Sequence, residues 1–225
     1  MASERDSTAV SGANENKTAV VYVVDDDESI RRALDTLLRS EGLRVQTFAS
    51  SQEFLAFPKY DAPSCLILDV RLRGESGLAF QDEAVKSDVR MPILFITGHG
   101  DIEMTVRAMK AGALDFFSKP FRDQDILDAV ANALARDAER LEASRADAEL
   151  RNCYESLTPR EREVMSFVVA GLMNKQIAAE IGLSEITVKI HRGQAMKKME
   201  SRSIADLVRK ADALGIRPQG LKSSS

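Results

Sequence analysis

With 225 residues and 44 % hydrophobic content, the chain has room for two small domains with real cores. Its net charge of −4 is unevenly spread: residues 155–225 hold 12 Lys and Arg against 8 Asp and Glu, a net of +4, which leaves −8 for residues 1–154. That asymmetry suits a cation-holding module joined to one that meets a polyanion. No apolar run approaches a membrane span, and the first 17 residues lack the apolar stretch of a signal peptide. Two distant cysteines, Cys65 and Cys153, argue against a disulfide scaffold or a zinc site. The expected compartment is cytoplasmic, with no membrane partner.

In chain order, the polar residues 1–17 are expected to be disordered. Val20-Val21-Tyr22-Val23-Val24 then runs into Asp25-Asp26. Cys65-Leu66-Ile67-Leu68 runs into Asp69, Ile93-Leu94-Phe95-Ile96 into Thr97, and Leu114-Asp115-Phe116-Phe117 precedes Ser118-Lys119-Pro120. Short apolar, largely β-branched runs alternating with helical patterns read as buried parallel strands, and ligands of such sheets bind just outside the strands' carboxyl ends. The spacing therefore brings all four polar ends to one edge. Asp25-Asp26-Asp27-Glu28 alone would be an acidic first turn complementing the positive end of the next helix. That reading explains neither Asp69 nor Lys119 at matching strand ends.

Residues 126–151 read as one long helix rich in Ala, Glu, Asp and Arg. Leu127, Leu134, Leu141 and Ala148 recur every seven residues, which leaves two readings open: a coiled-coil seam joining two protomers, or a solvated rigid spacer. Thr158-Pro159-Arg160-Glu161 then marks a helix start, with Thr at the N-cap, Pro at the first helical position and Glu at the third. Val164, Phe167 and Val168 follow at helical spacing up to Gly171. A second helix, 174–181, ends at Gly182, and Ser184 caps a third. Two short helices around a Gly-containing turn make a helix-turn-helix, with the later helix available for the major groove. On that helix Val188, Ala195 and Met199 fall on one inward face, which leaves Lys189, Ile190, Arg192, Gly193 and Lys197 facing out. On an arbitrary basic helix Lys189, Arg192, Lys197 and Lys198 would read as a solvated face, a reading that the order of cap, turn and later helix reverses; His191 reads as a packed or phosphate-contacting side chain.

The order Asp25-Asp26, Asp69, Thr97, Lys119-Pro120 resembles the receiver domain of two-component response regulators, over roughly residues 18–140. The resemblance implies that Asp25, Asp26, Asp69 and the backbone carbonyl of Arg71 bind Mg²⁺ and that Asp69 accepts a phosphoryl group. It further implies that Thr97, Phe116, Lys119 and the cis peptide at Pro120 form the switch. Three converging carboxylates repel one another unless a hard cation holds them, which agrees with that implication. The chain departs from the commonest receiver pattern at Leu72-Arg73-Gly74, while Ser76-Gly77-Leu78 matches it; the resemblance implies that Arg71 and His99 occupy positions which in the family tune the phosphoryl lifetime. Leu157-Thr158-Pro159-Arg160-Glu161, Asn174-Lys175-Gln176-Ile177-Ala178 and Thr187-Val188-Lys189-Ile190-His191-Arg192 resemble the LuxR-type DNA-binding domain. The whole chain is thus similar to FixJ-like transcriptional response regulators.

The expected architecture is a doubly wound α/β receiver, flavodoxin-like with five parallel strands in 2-1-3-4-5 order, followed by an all-α helix-turn-helix domain. Its expected bounds are a tail at 1–17, the receiver at 18–125, a helical linker at 126–154, the LuxR-type domain at 155–217 and a tail at 218–225. The implied partners are a sensor histidine kinase, promoter DNA contacted through Thr187, Lys189, Ile190, Arg192, Gly193 and Lys197, a second copy of the chain when phosphorylated, and RNA polymerase as a further candidate. Catalysis beyond its own phosphoryl transfer and dephosphorylation is not expected. Two alternatives stand beside this: a phosphate-independent DNA-binding regulator whose receiver only dimerises, and an aspartyl-phosphate phosphohydrolase. The second lacks the acid such enzymes carry two residues past the nucleophile, where Arg71 stands.

Overall fold

Each apolar run of the first half becomes a strand, because β-branched residues fit a pleated surface buried on both faces. The computed structural model describes residues 18–72, 75–76, 89–98, 109–110 and 112–216. The chain divides into two units, Met1–Glu142 and Ala143–Ser225. The tails at 1–17 and 218–225, and the expectations placed on Arg73, Gly74, Gly77, Leu78 and His99, lie outside the described residues.

In the first unit β1 (Val20–Val24), β2 (Arg44–Phe48), β3 (Ser64–Asp69), β4 (Ile93–Thr97) and β5 (Asp115–Ser118) form one sheet in the order β2-β1-β3-β4-β5. Every pairing in it is parallel, with Val24 beside Leu68 and Leu68 beside Phe95, so the strands finish nearly level. Beyond β3, Arg71–Leu72 pairs antiparallel with Glu75–Ser76. Alternation along the strands sends Val20, Tyr22, Val24, Leu66, Leu68 and Phe95 to one face and Val21, Val23, Cys65, Ile67, Leu94 and Ile96 to the other. The first face packs against Phe54 of α2 (Ser51–Ala56), where Tyr22 and Phe54 stand edge to face with centroids 5.5 Å apart. The second packs against Leu34 and Leu38 of α1 (Glu28–Ser40) and the start of α3 (Asp123–Glu155). Each fully buried Val, Leu or Ile side chain contributes roughly 1.5–3 kcal/mol, so the sheet centre carries most of this unit's stability.

The helix expected from residue 126 starts at Asp123, and Ile126, Ala129, Val130, Ala133 and Leu134 are buried against the sheet. Leu127 also packs there, so two of the four heptad positions are taken up within the unit, while Ala148 is exposed. One further turn along, Asp137 is 1 % exposed: it accepts from the Ser64 backbone N–H at 2.8 Å and from Arg140 Nε at 2.8 Å. This carboxylate ties α3 to the first residue of β3. Burial, then the Asp137 charge, push the Cys65 thiol far up, so it is an inert core residue.

The second unit holds α4 (Pro159–Val169), α5 (Asn174–Ile181), α6 (Glu185–Lys198) and α7 (Ile204–Ala213). Thr158 and Glu161 form the expected capping box on α4. The stop at Gly171 is a Schellman turn: Gly171 has φ 86°, its N–H reaches Val168 O, and the Leu172 N–H reaches Phe167 O. Gly182, φ 67°, makes the corresponding turn between α5 and α6. Val164, Met165, Val168, Ile177, Val188, Ala195, Met199 and Leu207 build the core, with the three inward residues expected on α6 among them. No described helix is long and apolar enough to cross a membrane.

Removing the Asp137 carboxylate orphans a buried N–H. Asp137→Ala is expected to cost about 1–3 kcal/mol and to strip the Ser64 amide of its protection in hydrogen exchange. Asp137→Asn, which keeps an acceptor oxygen, is expected to lose less.

Candidate functional site

The level carboxyl ends of β1, β3, β4 and β5 bring Asp25, Asp69, Thr97 and Lys119 to one edge of the sheet. Asp25 follows the last residue of β1 and is wholly buried, and Asp69 closes β3. Carboxylate oxygens of Asp25, Asp26 and Asp69 lie within 4.8 Å of one another. Lys119 reaches across from the end of β5, its Nζ donating to Asp25 Oδ2 at 2.7 Å and to Asp69 Oδ2 at 2.6 Å. The second oxygens are also held: Asp25 Oδ1 accepts from Asp27 N at 2.8 Å and Asp69 Oδ1 from Arg71 N at 2.8 Å. From α1, Arg31 donates to the Asp25 carbonyl at 2.6 Å, which fixes the turn after β1 from its backbone side.

The turn that presents Lys119 is anchored by its own N–H, which donates to Thr97 O at 2.6 Å, and its bond to Pro120 is cis, as expected. Thr97 is buried at the end of β4. Phe116 is half-buried against the face that holds Phe95. The Arg71 side chain is exposed, so its backbone is the part nearest the cluster.

One ammonium shared by two carboxylates in a buried site leaves net negative charge. Burial accordingly pushes the Asp25 carboxyl above its usual value, against the lowering effect of Lys119 and of the Asp27 N–H. Burial also works against the Lys119 ammonium, but the hydrogen bonds and charges of Asp25 and Asp69 outweigh it and raise its pKa. The Asp25 shift thus comes first from burial, whereas the Lys119 shift comes from its two carboxylate partners winning over burial. A donor set made of carboxylate oxygens fits a small hard cation such as Mg²⁺ and no soft one.

The second unit offers a different surface. Ser184 caps α6 by accepting from Thr187 N at 3.1 Å, and the two hydroxyls are 2.8 Å apart. Arg192 NH1 donates to Asn174 Oδ1 at 2.8 Å, which locks α6 to the start of α5. Lys198 donates to Glu161 at 2.7 Å and to Ser156 O at 3.2 Å, so it fastens the end of α6 to the cap of α4. Lys189, Ile190, Gly193 and Lys197 are exposed. Of the six residues expected to face DNA, Thr187 and Arg192 thus have polar partners inside the unit, and the others stand in solvent.

Residues 21–131 match the family described as "Response regulator receiver domain", and residues 155–211 that described as "Bacterial regulatory proteins, luxR family". Nodulation protein W of Bradyrhizobium diazoefficiens is 59 % identical, over 88 % of this chain and 87 % of its own. The transcriptional regulatory protein FixJ of Rhizobium meliloti is 40 % identical, over 88 % of this chain and 97 % of its own. Among solved structures, that of the response regulator StyR superposes with a TM-score of 0.81 at 46 % identity, covering 87 % of this chain and 98 % of that one.

The Lys198 ammonium, helped by the Thr158 N–H, holds the Glu161 carboxyl below the usual carboxylate value. A carboxyl depressed on folding adds stability that is present above its unfolded pKa and is lost as pH falls through the folded one. Glu161→Gln is therefore expected to lower the calorimetric transition of the second unit at pH 7, at a cost of about 0.5–1 kcal/mol. The difference from wild type should vanish once pH drops below the carboxylate range.

Proposed function

This chain belongs to the two-component transcriptional response regulators, and on that premise we propose that Asp69 is its phosphoryl acceptor, charged by a sensor histidine kinase. The observation that carries the reading is the trio Asp25, Asp26 and Asp69 with Lys119 between two of them, in one chain with a helix-turn-helix unit. An oxygen of the Asp69 carboxylate attacks phosphorus, the bond from phosphorus to the donor's imidazole nitrogen breaks, and the electron pair leaves with that nitrogen. Asp25, Asp26, Asp69 and the Arg71 backbone carbonyl would hold Mg²⁺, which when bound would offset the charge on the phosphoryl oxygens.

Lys119 is already hydrogen-bonded to Asp69, so it needs little movement to meet a phosphoryl group attached there. Thr97, Phe116, Lys119 and Pro120 form the switch. The Thr97 hydroxyl gains an acceptor, Phe116 follows it inward, and the receiver shifts between two states that exist beforehand. Receivers in the second state pair as a homodimer. Two copies of α6 then meet promoter DNA about one helical turn apart, through Thr187, Lys189, Ile190, Arg192, Gly193 and Lys197, and pairing raises affinity because the second contact is intramolecular. RNA polymerase is a further partner of the DNA-bound dimer, and the compartment is the cytoplasm. The protein's own chemistry is limited to gaining and losing the phosphoryl group.

Acetyl phosphate with Mg²⁺ is expected to add one phosphoryl mass to the wild-type protein. Asp69→Asn, which preserves the size of the side chain, should stay unlabelled while the thermal transition of the first unit persists. Undiminished labelling of that variant, independent of Mg²⁺, would place the acceptor elsewhere.

A further inference from the structure

Large apolar side chains left in water are informative when they share a face. Among the described residues Ile186 is 74 % exposed and Ile190 is 58 % exposed. They stand four residues apart on α6, so their side chains lie one above the other, and Gly193 and Lys197 continue the same stripe at the next two turns. The helix's inward face is a separate one, made by Val188, Ala195 and Met199. Polar groups near the stripe are engaged within the unit, Thr187 with Ser184 and Arg192 with Asn174. The first two turns of the helix therefore present the methyl groups of Ile186 and Ile190 alongside the exposed Glu185 and Lys189.

We infer that Ile186 and Ile190 read thymine 5-methyl groups, which makes α6 selective for two thymines spaced about two base steps apart. The inference rests on the DNA-binding reading given above and extends it to a residue, Ile186, absent from that contact set. Charge decides between occupants: the surrounding face carries exposed Lys189 and Lys197, and α6 ends on Lys197 and Lys198. Lysines are depleted in protein–protein interfaces, whereas a phosphate backbone requires them. Residues near the start of a recognition helix are the ones that reach base edges, and the one apolar group the major groove displays is the thymine methyl. Four residues of helix advance about 6 Å, close to the ~7 Å of two base steps. A Cβ at Gly193 would meet nothing within 4 Å, so packing inside the protein does not demand glycine there. The bare backbone at that point lets the next turn approach the duplex closely.

The test uses a duplex that the full-length protein enriches from a random-sequence pool, resynthesised with 2′-deoxyuridine in place of thymine at one position at a time. That exchange removes a methyl and leaves base pairing intact. Wild-type protein is expected to lose about fourfold in affinity at each of two positions, the effect of one buried methylene-sized group. Ile186→Ala should bind the thymine duplex more weakly and be indifferent to deoxyuridine at one of the two, Ile190→Ala at the other, while Ile186→Val keeps the sensitivity. Equal binding of thymine and deoxyuridine duplexes by the wild type at every position overturns the inference and leaves DNA binding standing. Ile186→Ala binding as tightly as wild type overturns the part assigned to Ile186. Enrichment of no duplex, with or without acetyl phosphate, overturns the DNA-binding reading and the inference together.

Discussion

The first unit is organised around a charge problem that the sheet creates. Parallel strands ending level place Asp25, Asp26 and Asp69 within 4.8 Å, an arrangement that repels itself. Lys119 relieves part of that repulsion by donating to Asp25 and Asp69 at once. Position depends on the fold at each point: Asp25 directly after β1, Asp69 on β3, and Lys119 on the turn after β5, with the Lys119 N–H held by the Thr97 carbonyl. Because one ammonium serves two carboxylates, any new anion on Asp69 changes the balance for Lys119 and for the strand ends that carry it. On the proposed function, a phosphoryl group on Asp69 would meet contacts already present in the pocket and would need no new fold.

The second unit solves a different problem, holding one helix still while leaving a face free. Three polar fastenings hold α6 along its length: Ser184 at its start, Asn174 through Arg192 in the middle, and Glu161 through Lys198 at its end. Val188, Ala195 and Met199 supply the apolar hold between them. A helix fixed in this way loses little conformational freedom on meeting a duplex, and pre-organisation of that kind raises affinity without adding contacts. The side chains left outward include Ile186, Lys189, Ile190 and Lys197, an apolar pair with two cations, beside Glu185 and Gln194.

Most of the pocket was legible because its residues sit where apolar runs stop, and a sheet buried on both faces writes those runs plainly. β2 was harder to see, since Arg44, Gln46 and Thr47 break its pattern at the sheet edge. Asp137 was hidden by its surroundings: in a helix crowded with Asp, Glu and Arg, one more acid looks solvated, and only the packing of α3 against the sheet buries it. The same packing takes up Leu127 and Leu134, two of the four positions of the leucine repeat, which therefore also obey the period of a helix lying on its own sheet. In the second unit the caps and the inward face followed from local sequence rules. Lys198 did not, because its partner Glu161 lies 37 residues away on another helix. Arg192 looked like a free donor for the same reason, since Asn174 lies 18 residues away on α5.

Control of α6 by the pocket on Asp69 follows from the proposed function. It is tested most directly by measuring the affinity of the full-length protein for an enriched duplex, with and without acetyl phosphate in the presence of Mg²⁺, for wild type and Thr97→Ala. Tighter binding of the phosphorylated wild type, with the gain much reduced in Thr97→Ala although Asp69 is still labelled, is the predicted result. Superimposable binding curves for phosphorylated and unphosphorylated wild type would contradict it.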